Sequence, residues 1–298
     1  MPLLAIDLDG TLLGRDEEVS PANLAALARV RDAGWDVVVA TGRSWRESAR
    51  ALDAVGRSGE FVGAGGAQVS CAATGAPRHC FTLDAEVAAE VAHVVASHGH
   101  LAHLLKDHHA STHDYCLVGD GAMHPAMEWW LREHGLERIH LPCLREPAHR
   151  PFADATIRVG TVAAASDLEG AAQEIERRFR DRVRFQHWSA QTPTEKTHSR
   201  THLLEVFAPG VDKWSAIQWI CARRGVDPAD VVAIGDGLND VEMVRGAGLG
   251  IAMASGDPRV HAVADAVVGH HAHDGAAEAI DWALRARGRR GAAVQSTL

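Results

Sequence analysis

Asp7 and Asp9 lie two residues apart, where the apolar run Leu3-Leu4-Ala5-Ile6 ends in Asp7-Leu8-Asp9-Gly10-Thr11. Residues i and i+2 of a strand share a face, so two carboxylates converge where a buried strand opens into a Gly-Thr loop. Two such anions repel unless a cation or a shared proton relieves them. A hard divalent ion with oxygen ligands, Mg²⁺, is the natural remedy. With the pair held by metal, one carboxylate can attack phosphorus while the other handles the proton on the leaving oxygen. Taken alone, D-x-D also suits a strand that ends in a solvated acidic turn.

Three further motifs supply other parts that phosphoryl transfer requires. In Thr41-Gly42-Arg43, Thr41 offers a hydroxyl and Gly42 lets a backbone amide approach a phosphate oxygen. Asp212-Lys213 brings a compact positive charge for the non-transferring oxygens. In Gly235-Asp236-Gly237-Leu238-Asn239-Asp240, Asp236 is a third carboxylate for the metal. Asn239 and Asp240 can orient phosphate, water or the lysine from behind the ligands. Lys213 stands out by composition: among 30 Lys and Arg residues only Lys106, Lys196 and Lys213 are lysines.

The elements around these motifs alternate strand and helix. Leu3 to Asp9 reads as a strand. Ser20-Pro21 opens a helix with Leu24, Leu27 and Ala28 on one face and Gly34 as its stop. The β-branched run Asp36 to Thr41 suits a strand covered on both faces. Alternation returns with strands at Leu203 to Phe207, Val231 to Gly235 and Gly250 to Ala254, and a helix from Trp214 to Arg224. The expectation is an α/β fold: a doubly wound, Rossmann-like parallel-sheet core formed by 1–83 and 199–298. Each motif then falls at a strand's carboxyl end or a helix start.

Residues 84–198 read as an inserted α+β domain. A helix from Ala85 to His98 carries Val87, Val91, Val94 and Val95, and short strands near 101–106 and 113–118 can pair as a hairpin. Pro125 to His134 is helical and Ile157 to Val162 extended. Ser166-Asp167-Leu168-Glu169 has the form of a capping box before a helix that uses Leu168, Ala171, Ile175 and Phe179.

These four motifs, in this order, resemble those of the haloacid dehalogenase-like hydrolase superfamily. The insertion and the Gly250-Ile251-Ala252-Met253 strand are similar to its Cof-type sugar phosphatase branch, with a large α+β cap of type C2. The resemblance implies that Asp7 is the nucleophile of an aspartyl-phosphate and Asp9 the general acid, then base. It implies Mg²⁺ held by the Asp7 side chain, the Asp9 main-chain carbonyl and Asp236. Thr41, Gly42, Lys213 and Asn239 would hold the phosphoryl group, with Asp240 in support. Where many Cof-type members carry Asn-Gly after the third strand, this chain has Gly65-Gly66-Ala67.

Composition bounds the partners. The 298 residues suffice for two domains, and a net charge of -9 argues against nucleic acid or an anionic membrane as the main partner. No stretch approaches the roughly 20 apolar residues of a membrane span. Cys71, Cys80, Cys116, Cys143 and Cys221 form no C-x-x-C pair and read as reduced thiols. Met1-Pro2-Leu3-Leu4 has no basic leader, so a cytoplasmic address is expected. The expected partner is a small phosphorylated metabolite, a sugar phosphate first, selected in the insertion by Lys106, His108, His109, Arg158 or His187, or by Arg43. Trp129 and Trp130 suggest a homodimer contact. The rival readings are a phosphosugar mutase, a glycosyl-phosphate phosphatase and a regulator that binds without turnover.

Overall fold

A computed structural model of the chain describes residues 2–189 and 201–295. They divide into two compact units, Met1–Ala76 with Asp212–Leu298, and Pro77–Val211.

The first unit begins with β1 (Leu3–Ile6), an irregular turn over Leu8–Leu12, and α1 (Pro21–Asp32). Next come β2 (Asp36–Ala40), α2 (Ala49–Val55), β3 (Glu60–Gly63), one tight turn at Ala64–Gly66, and β4 (Gln68–Cys71). The second unit contains β5 (Pro77–Cys80), α3 (Ala85–Ser97), β6 (Ala102–Lys106), β7 (Tyr115–Val118) and α4 (Pro125–Glu133). It continues with β8 (Arg138–Leu141), β9 (Thr156–Ala163), α5 (Ala165–Phe179), β10 (Arg184–Ser189) and β11 (His202–Phe207). The chain returns to the first unit with α6 (Lys213–Arg224), β12 (Val231–Gly235), α7 (Val241–Gly246), β13 (Leu249–Met253), α8 (Pro258–His261), β14 (Ala266–Val268) and α9 (Gly275–Gln295).

Within the first unit the strands run β14-β13-β12-β1-β2-β3-β4. All pairs are parallel except β3 with β4. From β1 the chain winds outward through β2 to β3, and from β12 it winds the opposite way to β14. The winding therefore reverses between β1 and β12, and the carboxyl ends of these strands are where a doubly wound sheet binds its ligands. The central strands are apolar in their interiors because both faces are covered. Leu4 and Ile6 of β1 pack into one core with α1 and α9, while Leu3 and Ala5 pack into the other with Ala216, Ile217 and Ile220 of α6. Helix α1 starts as its sequence dictates, with Ser20 accepting from the Asn23 amide at 3.1 Å and Pro21 in the first position. Its buried stripe is Asn23, Ala26, Leu27 and Val30. Ala28, expected on that face, is exposed because the stripe is centred one residue earlier.

The second unit has its own sheet, β10-β11-β9-β6-β7-β8, antiparallel except for β7 with β8. Helices α3 and α5 cover one face, and the expected Val87, Val91, Val94, Val95, Leu168, Ala171, Ile175 and Phe179 form that core with Leu104, Val159, Leu204 and Val206. Two expectations need correction here. The α5 N-cap is Ala164, without a side-chain bond, and Ser166 lies inside the first turn bonded to Asp167 at 3.1 Å, so no capping box forms. The strand at 203–207 belongs to this sheet and not to the parallel one, pairing antiparallel with β9 and β10. The unit boundaries accordingly fall at Ala76/Pro77 and Val211/Asp212 instead of at 83/84 and 198/199. The expected boundary at 198/199 lies outside the described residues.

Candidate active site

Asp7 follows β1 directly, and its amide donates to the Ile234 carbonyl of β12 at 3.0 Å. That bond draws the ends of the two central strands together, which puts Asp236 beside Asp7 at the reversal point. The turn after Asp7 needs Gly10 at φ +78°, and a Cβ there would lie 2.8 Å from Asp236 Oδ1 and closer still to Oδ2. Only glycine admits the third carboxylate so near. Thr11 then donates to Asp236 Oδ1 at 2.9 Å and fixes its rotamer. The tasks of Gly10 and Thr11 show only in the fold, because the partner of both, Asp236, lies more than 200 positions away in the chain.

Lys213 opens α6, where a cation faces the unfavourable end of the helix dipole. Asp212 offsets this as the N-cap: its Oδ1 accepts from the Ser215 amide at 2.7 Å, and Ser215 Oγ donates back to the Asp212 carbonyl. The backbone here runs against Gly66, where a Cβ would sit 2.8 Å from Lys213 N and nearer to the Asp212 carbonyl. A glycine at 66 thus lets the backbone before the lysine pass this close. Lys213 Nζ donates to Asp7 Oδ1 and to Asp240 Oδ1, both at 2.6 Å, and is completely buried.

Carboxylate oxygens of Asp7, Asp236 and Asp240 lie within 4.8 Å of one another, the one such metal-capable group among the described residues. Asp240 is heavily committed within it. Its Oδ1 takes the lysine, and its Oδ2 accepts from the amides of Asp236 and Gly237 at 3.1 and 2.9 Å. It braces the loop and the lysine, and Asp7 and Asp236 are the other two carboxylates of the group. Three carboxylates against one ammonium leave two negative charges in excess, which one divalent cation neutralises. Burial first, then Asp240, holds the Asp7 carboxyl well above its ordinary range despite Lys213. For Lys213, burial opposes the charge, but Asp240 and Asp7 outweigh it and raise its pKa. The oxygen donor set and the excess charge fit Mg²⁺.

The second motif reaches this group from the β2 side. Thr41 is buried, its Oγ1 accepts from the Arg43 amide at 3.2 Å, and its carbonyl accepts from Gly65 N at 2.9 Å. A Cβ on Gly42 would touch Asn239 Nδ2 at 3.4 Å, so the second and fourth motifs are neighbours. The Asp9 side chain points elsewhere than the carboxylate trio: it is half exposed and forms a two-bond pair with Arg43, Nε to Oδ2 at 2.8 Å and Nη2 to Oδ1.

The selectivity candidates in the second unit fare differently. Lys106 is spent on structure, its ammonium donating to Phe152 O and Thr156 Oγ1 at 2.8 Å each and to Asp154 O. Arg158 pairs with Glu205 at 2.7 Å and donates to Tyr115 Oη at 3.1 Å. His187 faces the helices with Leu204, since the two are register partners, and burial lowers its pKa. His108 and His109 follow β6 with ring centroids 4.3 Å apart.

The chain matches the description of a haloacid dehalogenase-like hydrolase over residues 4–280. It is 25% identical to the 5-amino-6-(5-phospho-D-ribitylamino)uracil phosphatase YitU of Bacillus subtilis, over 92% of this chain and 94% of that protein. It is 28% identical to the HMP-PP phosphatase of Serratia proteamaculans, over 90% of each. It is also 29% identical, over 92% of its length, to the chloroplastic endoribonuclease YBEY of Arabidopsis thaliana, of which it spans 45%. A haloacid dehalogenase-like hydrolase from Bacteroides thetaiotaomicron superposes with TM-score 0.74 at 21% identity, covering 94% of this chain and 98% of that one. A subclass IIB sugar phosphatase superposes with TM-score 0.74 at 17% identity, covering 94% and 98%. These two show the fold. The chain belongs to the haloacid dehalogenase-like hydrolases, and the phosphoric monoester hydrolase class read from its motifs stands.

Proposed function

We propose that the chain is a Mg²⁺-dependent phosphatase of small phosphorylated metabolites, working through an aspartyl-phosphate on Asp7. The observation that carries this reading is Lys213 Nζ at 2.6 Å from both Asp7 and Asp240, beside Asp236, at the sheet's reversal point. Lys213 takes Asp7 Oδ1, which leaves Oδ2 to attack phosphorus. As the Asp7–phosphorus bond forms, the bond to the leaving oxygen breaks and Asp9 gives that oxygen its proton. In the second half, water bonds to phosphorus, Asp7 leaves as a carboxylate, and Asp9 takes the proton from water. Asp7 and Asp236, with the Asp9 carbonyl, would hold Mg²⁺, which supplies charge to keep Asp7 ionised and to stabilise the transferring oxygens. Lys213, the Thr41 hydroxyl and the Gly42 amide hold the non-transferring oxygens, and Asn239 supports them.

The first unit is read as the catalytic core and the second as the cap that selects the substrate. Relatives named for ribitylaminouracil phosphate, HMP-PP and pyridoxal phosphate favour phosphorylated small molecules as a class. Sugar phosphates are the first to try. The endoribonuclease name belongs to a protein of which the chain spans 45%, and is not carried over.

The test is phosphate release from a panel of sugar phosphates, pyridoxal phosphate and an aryl phosphate, with Mg²⁺ or with EDTA, for the parent protein and Asp7→Asn. Turnover that needs Mg²⁺ and disappears in Asp7→Asn is expected. Undiminished turnover in Asp7→Asn would remove the nucleophile assignment. A requirement for a bisphosphate activator would indicate a mutase.

A further inference from the structure

The Arg43–Asp9 pair is left unexplained by the reaction as derived. Its geometry is specific: Nε reaches Asp9 Oδ2 at 2.8 Å while Nη2 reaches Oδ1, a parallel fork on both carboxylate oxygens. Such a fork fixes the carboxylate plane and leaves one lone pair on each oxygen, so the sites that can carry a proton lie in that fixed plane. Asp9 has little else to hold it, because its side chain is 44% exposed, whereas that of Arg43 is 10% exposed.

The base of Arg43 is anchored on both sides. Its amide donates to Thr41 Oγ1 at 3.2 Å, and its carbonyl accepts from Ala64 N at 2.8 Å. The turn after β2 thus launches a rigid guanidinium across to the turn after β1. Lysine cannot replace that fork, since it offers a point charge on a flexible stem. Burial is the largest single influence and opposes the guanidinium charge, but Asp9, then Glu17 and Glu47, together outweigh it and raise the Arg43 pKa.

We infer that Arg43 is a positioning residue of the reaction: it orients the Asp9 carboxyl so that its proton meets the leaving oxygen. This rests on the acid–base role of Asp9 proposed above. The pairing also suits the sequence of events, because Asp9 becomes a carboxylate once it has given up its proton and must then accept one from water.

Leaving-group dependence separates this role from a merely structural one. An alkyl phosphate needs a proton on its leaving oxygen, whereas 4-nitrophenyl phosphate releases a stable phenolate without one. The readout is kcat/KM for both, which reports the phosphorylation half-reaction, in the parent, Asp9→Asn, Arg43→Lys, Arg43→Gln and the double variant Asp9→Asn/Arg43→Lys. Asp9→Asn is expected to lower the alkyl value by about 10² to 10⁴, the usual size of general acid catalysis, and the aryl value far less. The two Arg43 variants are expected to move the alkyl-to-aryl ratio the same way, by up to about 10², the cost of a misplaced group, and by no more than Asp9→Asn does. In the double variant the ratio is expected to stay at its Asp9→Asn value.

Arg43 variants that lower both substrates equally, or that shift the ratio further in the double variant, overturn the inference and leave the Asp9 reading standing. An unchanged ratio in Asp9→Asn overturns both.

Discussion

Replacing Lys213 by Met removes the ammonium while keeping an unbranched side chain of similar length in a fully buried position. Two carboxylates, each 2.6 Å from Nζ, lose their partner at once. Breaking a buried pair by removing one member costs about 3–5 kcal/mol, because the other charge stays out of water. For a domain of this size each kcal/mol is worth about 2–4 °C, so the first unit should melt roughly 6–20 °C lower in EDTA. The loss should grow with pH. Asp7 already has a folded pKa raised above the unfolded value, and without the lysine it rises further, so the folded state keeps a proton that the unfolded state gives up. At one fixed Mg²⁺ concentration and pH 8, the ion should stabilise the variant more than the parent, since no ammonium now competes for Asp7 and Asp240. Saturation at about a hundred times Kd adds about 2.7 kcal/mol. Catalysis should not return with it: losing one preorganised donor costs about 10²–10³ in kcat. Adding Asp240→Asn should recover part of the melting loss by removing one stranded charge. Calorimetry at pH 6 and 8, with EDTA or Mg²⁺, reads all of this. A Lys213→Met protein that melts with the parent in EDTA, or gains no more from Mg²⁺, would show that the lysine and carboxylates are not coupled as described.

Two further outcomes follow from the geometry. Gly66→Ala puts a Cβ 2.8 Å from Lys213 N and nearer to the Asp212 carbonyl, at φ +105°. The Asp212–Lys213 peptide must retreat by about an ångström, a displacement worth about 10² in rate. kcat should therefore fall far more than secondary structure by circular dichroism, and unchanged kcat would dissociate Gly66 from the lysine. His103 in β6 is buried with no partner on Nε2, and burial first, then Arg158 and His124, lowers its pKa to about 3. Because the folded value lies below the unfolded one, its stabilising effect is complete above pH 6.5 and is lost progressively as pH falls toward 3, at about 1.4 kcal/mol per unit. His103→Leu should flatten that acid limb for the second unit. An acid limb as steep as the parent's would assign it to other groups.

Three of the four motifs were legible as a special residue at a strand end, and strand ends in a parallel sheet are set by the apolar run before them. Ile6-Asp7 and Gly235-Asp236 each mark where the apolar run gives way to a carboxylate that is itself buried. What the sequence could not display was the supporting layer: Gly10 against Asp236, Gly66 against Lys213, and Thr11 on Asp236 join residues more than a hundred positions apart. The rarity of lysine marks burial before it marks chemistry. Lys106 and Lys213 are both buried with several oxygen acceptors around the ammonium, so scarcity marked a buried point charge and not catalysis as such.

The misplaced strand has a physical lesson in its own residues. Leu203-Leu204-Glu205-Val206-Phe207 precedes Asp212-Lys213 closely enough to look like the core strand that delivers the lysine. Yet it contains a charge, and no strand between β12 and β3 in the parallel sheet has one in its interior. Leu204 and Val206 face the helices, while Glu205, on the opposite face, meets Arg158 at 2.7 Å. That two-period alternation belongs to an antiparallel sheet with one helix-covered face, whereas a doubly wound sheet demands apolar residues on both. Lys213 therefore takes its place from α6 and not from a preceding core strand: Ala216, Ile217 and Ile220 bury against β1 and β12, and Gly66 sets how closely the helix start can approach. A substitution that loosens α6 packing, such as Ile217→Ala, reaches the reaction only through the lysine, so it should weaken the Mg²⁺-free melt and kcat together while leaving β11 and its sheet intact.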